Sequence, residues 1–266
     1  MCATEARAPD QYASIIVVGG GCYGSYYVRQ LQRAAHASAI VAERILVVDR
    51  NADCAVARSA SAPEQPFVIP VEMEIAEWQA FFPRYLTRAS EQAGAPARDA
   101  IVPSPLMPHL MAEWLVARAR DRWPAGRVET RPLEQLPEVP WERAGSDGTH
   151  YVSFATWTCP INCIEPRICP VTRNVRDWSL PVALETHGRE RRIALEHRAA
   201  TATFDVAVMH CRHRAYGVGM FDTADVLAAD ARIARAGAES DAEIVIGTVS
   251  HCHGALTRLC VQHGRA

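Results

Sequence analysis

The sequence predicts an α/β fold: a parallel sheet with helices on both faces, interrupted by an irregular cysteine-containing insertion. Three observations predict it. Short apolar runs recur along the chain and alternate with segments of helical period. These runs are continuous rather than alternating, as strands buried on both faces are. Between about 123 and 200 the rhythm breaks, prolines become frequent, and three cysteines fall close together.

The elements follow in order. Ser14–Val18 is an apolar run ending in glycines and reads as a buried strand. Residues 22–35 read as a helix, with Tyr23, Tyr26, Tyr27 and Leu31 at helical spacing. Ile45–Asp49 is a second buried strand, and Phe67–Ile69 is taken as a third. Residues 74–91 look helical. Ala100–Val102 is a short strand that Pro103 and Pro105 end, and Pro108 suits the first turn of a helix running to about Arg122. In the insertion only Tyr151–Phe154 reads as a strand, and the Arg/Glu-rich residues 185–201 read as a solvated connection. Phe204–Met209 is a strand. Asp222 is a good N-cap for a helix over 223–236, with Gly237 just past its end. Glu243–Val249 is a further strand, followed by a last helix over 254–262.

Composition excludes several classes. The chain has 266 residues, with 49% apolar and 22% charged, ordinary for a globular protein. No apolar run is long enough for a membrane span, and the first fourteen residues show no export signal, so a cytoplasmic protein without membrane insertion is expected. A net charge of −2 argues against nucleic acid as a partner. All 28 basic residues are Arg. The absence of lysine excludes a lysine Schiff base, a lysine general base and a Walker A lysine.

The segment Val17-Val18-Gly19-Gly20-Gly21-Cys22-Tyr23-Gly24 holds G-x-G-x-x-G at Gly19, Gly21 and Gly24, directly after a strand and at a helix start. The first glycine permits the tight turn, the second lets a pyrophosphate approach the backbone, and the third lets helix and strand pack closely. Asp49 ends the second strand, 25 residues after Gly24. An acid there hydrogen-bonds a ribose 2′-OH and repels a 2′-phosphate, favouring NAD over NADP, although Arg50 follows at once. Residues 14–50 resemble the Rossmann-fold NAD(P)-binding proteins, and the start is similar to that of TrkA-type nucleotide-binding domains. The resemblance implies a bound NAD, NADP or FAD and names no reaction. The organisation expected is a polar leader (1–13), a dinucleotide-binding half (14–122), the insertion (123–200) and a C-terminal α/β part of the same domain (201–266).

The insertion carries Cys159, Cys163 and Cys169 as C-x3-C-x5-C, with prolines after the first and third. Short cysteine spacings in a chain without an export signal point to a metal or redox site rather than structural disulfides. The spacing matches neither ferredoxin pattern nor a zinc knuckle. Two predicted strands run out into His210-Cys211-Arg212-His213 and Ser250-His251-Cys252-His253, at the carboxyl edge where open α/β sheets bind ligands. Cys211 or Cys252 is therefore expected to complete a centre begun by Cys159, Cys163 and Cys169, either an iron–sulfur cluster or zinc. Cys2, Cys22, Cys54 and Cys260 read as ordinary core or surface residues.

His213 and His251 are the expected proton donors. His109, with Ser104, reads chiefly as part of a rigid Pro-rich turn, and Trp157 and Trp178 as cover for the cysteines. The function expected is a dinucleotide-binding redox protein with a cysteine-ligated metal centre, an NAD(P)-dependent oxidoreductase if it is an enzyme, working with a redox or regulatory protein partner. The alternatives are a nucleotide-binding sensor without turnover and a zinc-stabilised structural protein. The sequence assigns no oligomeric state.

Overall fold

A computed structural model describes residues 9–61, 66–91, 98–123, 127–160, 163–197 and 202–263; Cys2 and most of the leader lie outside them. The protein is a mixed α/β chain that divides into two compact units, one formed by Met1–Pro105 with His213–Thr223, the other by Leu106–Arg212 with Ala224–Ala266.

The first unit holds β1 (Asp10–Val18), α1 (Cys22–His36), β2 (Ile40–Asp49), α2 (Ala55–Ser61), β3 (Val71–Ile75), α3 (Trp78–Glu91) and β4 (Ala100–Val102). A hairpin of β9 (Arg212–Ala215) and β10 (Val218–Asp222) completes its sheet, in the order β3-β2-β1-β4-β10-β9. Pairings among β1 to β4 are parallel, whereas β10 runs antiparallel to β4. Ile15, Val17, Ile45 and Val47 on the central strands pack with Val28 and Leu31 of α1. The expected strand at Phe67–Ile69 is instead a loop. The side chain of Gln32 accepts from the N–H groups of Val68 and Ile69 and donates to the Ile69 carbonyl, which satisfies this backbone without a sheet partner.

The second unit holds α4 (Leu110–Arg122), β5 (Val128–Arg131), β6 (Trp141–Ala144), β7 (His150–Ser153), α5 (Leu180–His197), β8 (Thr203–His210), α6 (Thr223–Glu239), β11 (Ala242–Val249) and β12 (His253–Val261), with Thr223 at the seam. Its sheet runs β6-β7-β12-β11-β8, with β5 also on β12. Only β8 and β11 pair in parallel. The expected single parallel sheet thus gives way to two mixed sheets. The reason lies in connection length: three residues separate β11 from β12, enough for a hairpin and far too few for the crossover that a parallel neighbour needs.

Two further expectations fail here. Residues 254–262 form β12 rather than a helix, because a short apolar run takes the structure its neighbour offers, and β11 offers eight paired residues. The stretch 185–201 largely belongs to α5. Leu180, Leu184 and Gly188 make a buried stripe one turn apart among charged residues, and α5 packs on β8 so closely that a Cβ at Gly188 would stand 2.6 Å from Val206. Among its described residues the insertion therefore contains three strands and a helix.

Candidate functional site

In the first unit β1 ends at Val18 and α1 begins at Cys22, so Gly19, Gly20 and Gly21 make the turn. Gly19 takes φ +87°, in the left-handed region that favours glycine, and its N–H donates to the Val48 carbonyl at 2.8 Å. A Cβ added at Gly24 would stand 1.8 Å from the Gly19 carbonyl oxygen, so helix and turn touch backbone to backbone. Gly21 is the reverse case: a Cβ there would meet nothing within 4 Å. Gly21 is the N-cap of α1, no side chain caps the helix, and its first turn carries no acid. The first N–H groups of a helix have no intrahelical partner, and here they leave an anion-favouring end.

Asp49 closes β2. One carboxylate oxygen accepts the Gly20 N–H at 2.6 Å and the other accepts the Asn51 N–H at 2.8 Å. The acid expected at a ribose therefore also braces the glycine turn, and each oxygen keeps a further lone pair. Arg50 pairs with Glu77 at 3.5 Å on the exposed surface. Trp78 lies against the turn, its indole N–H donating to the Val48 carbonyl at 3.1 Å and its ring 3.2 Å from where a Gly19 Cβ would be.

In the second unit the cysteine segment is folded by its own turns. The Cys163 N–H bonds the Pro160 carbonyl, and the Cys163 sulfur accepts the Glu165 N–H at 3.4 Å. Cys169 and Asn174 close a short loop that an Ile168–Val175 bridge continues. Glu165 is buried, holds φ +50°, and anchors the segment. Its carboxylate accepts the Ser250 hydroxyl at 2.6 Å and the N–H groups of His251 at 3.0 Å and Cys252 at 3.1 Å. Arg176 donates to the Glu165 and Pro166 carbonyls from the same loop. In the sequence Glu165 shows little beyond an acid placed between Ile164 and Pro166.

The thiols differ in surroundings. Burial and then the neighbouring Cys163 and Cys169 push the Cys159 thiol up, with Glu165 adding to this and the Trp157 indole opposing it. Burial also acts to raise Cys169, but the N–H and hydroxyl of Thr172, the N–H of Val171 and the Trp157 indole outweigh it and bring that thiol down. The indole N–H of Trp157 is buried and closes no hydrogen bond, and it favours the thiolate form of both Cys159 and Cys169. Cys252 is set apart: its sulfur accepts the Trp178 indole N–H at 3.3 Å, and burial with the Glu165 charge pushes it up to about 12. The two indoles meet edge to face at 6.0 Å.

The clusters at the ends of β8 and β11 adjoin, since the Cys211 N–H bonds the Val249 carbonyl at 2.7 Å and the rings of His210 and His251 stand perpendicular at 4.7 Å. His251 shares a 3.1 Å hydrogen bond with Ser179, and burial followed by Arg176 lowers its pKa. His213 belongs to the first unit, on β9. Among the described residues, no group of three or more His, Cys, Asp or Glu side chains is placed to hold a metal ion. His109 is buried with both ring nitrogens on threonine hydroxyls, Thr248 at 3.0 Å and Thr257 at 3.1 Å, so its ring is a packing element.

No curated protein and no solved structure matches the chain. A family model covers residues 111–262, from α4 through β12, and so takes in the cysteine segment and the β11–β12 turn but not the glycine turn. With more than half of its length matched, the chain belongs to the AF_1314_C family, described as "Uncharacterized protein, C-terminal domain".

Proposed function

We propose that this chain is a redox protein that binds a dinucleotide, NAD in preference to NADP, on the turn Gly19–Gly24 and carries a thiol centre in its second unit. The observation that carries the reading is the split among the glycines: Gly24 is required by packing, whereas Gly21 faces open space and no contact within the protein requires it to be a glycine. A ligand that must touch the backbone explains such a position. The order β3-β2-β1-β4, with parallel pairing and a glycine turn after β1, supports a Rossmann-like reading of this unit. The N–H groups at the start of α1 would hold the pyrophosphate, and the remaining lone pairs of Asp49 would take ribose hydroxyls. A bound nicotinamide dinucleotide supplies two-electron hydride chemistry.

The metal centre expected from the sequence fits less well. The unpartnered Trp157 indole suits a thiolate or sulfide acceptor, but the described side chains do not form a closed ligand set, so no step is drawn through a metal.

Calorimetric titration with NADH and NADPH tests the dinucleotide reading. The wild-type protein is expected to bind NADH at least about tenfold more tightly, as an acid at the ribose position implies. Gly21→Val is expected to keep its melting temperature and lose about 100-fold in affinity, because the added side chain occupies the phosphate approach. A wild-type protein without affinity, or a Gly21→Val protein with unchanged affinity, overturns the reading.

A further inference from the structure

The redox reading makes no use of a cavity of about 560 Å³ that lies wholly within the second unit. One wall is a face of α4, where Leu110, Glu113, Val116 and Arg120 recur at helical spacing. The rest is built from β5, the turn between β6 and β7, and parts of β7 and β12. His109 also lines it, but both ring nitrogens are committed to threonine hydroxyls, so it brings no free acid or base. The cavity is therefore suited to binding rather than reaction. Four charged side chains line it, and they fall into two classes. Asp147 is held by the N–H and hydroxyl of Thr149, at 3.0 and 3.1 Å, and Arg131 pairs with Glu129. Glu113 and Arg120 make no hydrogen bond and no ion pair among the described residues. Both are exposed, so a ligand can reach them. They stand seven residues apart on α4, about 10 Å along its axis, with Val116 between them and Leu110 beside Glu113.

We propose that this cavity binds a short peptide with free termini, about three residues long, with its ammonium on Glu113 and its carboxylate on Arg120. Three extended residues span about 10 Å, which matches the separation of the two charges. A guanidinium holds a carboxylate through two parallel N–H bonds, and the Glu113 carboxylate accepts from an ammonium. Because neither side chain has a partner inside the protein, no internal ion pair is broken when the ligand enters. Leu110 and Val116 give the α4 wall apolar surface for the peptide's side chains. Thr130 and Tyr151 bring hydroxyls to the same space, and these suit the peptide amides. An ω-amino acid of equal length would satisfy both charges but leave the hydroxyls unused and much of the volume unfilled.

The test is a calorimetric titration of the full chain with no dinucleotide present, so its outcome is independent of the glycine turn. The probe is the tripeptide alanyl-leucyl-alanine, with an expected Kd on the order of 0.1 mM, as ligands of this size typically reach. Its N-acetyl form, its C-terminal amide and 8-aminooctanoic acid are each expected to bind at least about tenfold more weakly, since each lacks a charged contact or the amides and side chain. Glu113→Gln and Arg120→Gln are each expected to lose about tenfold for the free tripeptide and to keep the wild-type melting temperature, because both side chains are exposed. The pairing of groups is the decisive readout. In Glu113→Gln, acetylating the peptide is expected to cost nothing further, and in Arg120→Gln the same holds for the amide. No binding to the wild-type protein, blocked peptides or 8-aminooctanoic acid binding as tightly as the free tripeptide, or losses that simply add in the variants would overturn the proposal.

Discussion

The glycine turn of the first unit and the cysteine segment of the second are built by different means. The turn is backbone on backbone: Gly24 against the Gly19 carbonyl, with Asp49 bonded to the Gly20 N–H. The cysteine segment is held by side chains reaching far along the sequence, with Glu165 bonded to residues 85 to 87 positions away. A site of the first kind depends on the absence of side chains at a few adjacent positions. A site of the second kind depends on two distant segments both being in place.

Substitutions can break this contrast, and the largest effect belongs to the backbone site. Gly24→Ala places a Cβ against a carbonyl that cannot move away, and is expected to cost more than about 3 kcal/mol by denaturant unfolding, at the upper end of overpacking effects. Glu165→Ala removes the acceptor of the His251 N–H and leaves the Cys252 N–H and the Ser250 hydroxyl with only their 3.3 Å bonds to Ser250 Oγ and the His253 carbonyl, with an expected cost of about 2 kcal/mol. Glu165→Gln keeps one acceptor oxygen and should recover part of it. If Glu165→Ala unfolds the protein no more readily than wild type, the anchoring role is wrong.

A pH scan sharpens the same comparison within the second unit. Burial lowers the His109 pKa to about 4, partly opposed by Asp147, against an ordinary value of 6.5. The folded state therefore favours neutral His109. Its contribution is complete above pH 6.5 and is lost as pH falls from there toward 4, amounting to about 3 kcal/mol on the usual conversion. His109→Asn is expected to flatten that window in a plot of unfolding free energy against pH. The smallest effect is expected at Gly21→Ala, within about 0.5 kcal/mol of wild type, because the new methyl meets nothing in the protein. A large loss at Gly21 would mean that packing, rather than a ligand, requires that glycine.

The same contrast explains what could be read from the sequence. The turn was legible because Gly19, Gly21, Gly24 and Asp49 carry their meaning in local spacing and in the strand before them. The strands β8 and β11 were legible as apolar runs. Glu165 was not, since nothing near it announces a partner at Ser250. The strand β12 is ambiguous in sequence because its apolar residues fit either period, and the three-residue gap to β11 decides the matter. The helix α5 was hidden by its charge, although Leu180 and Leu184 already marked one face. The cysteine spacing marked a segment with local turns of its own. It did not show that Trp157 lies beside Cys159 and Cys169 while Trp178 takes Cys252.

The Glu165 anchor also orders events in time. Its partners Ser250, His251 and Cys252 leave the ribosome long after the cysteines do. Until the last hairpin forms, the carboxylate has nothing to grip and the loop around the thiols is untethered. The cysteine loop is thus tied down only when the chain is nearly complete, and a nascent or truncated polypeptide carries these sulfurs on a loop without its anchor.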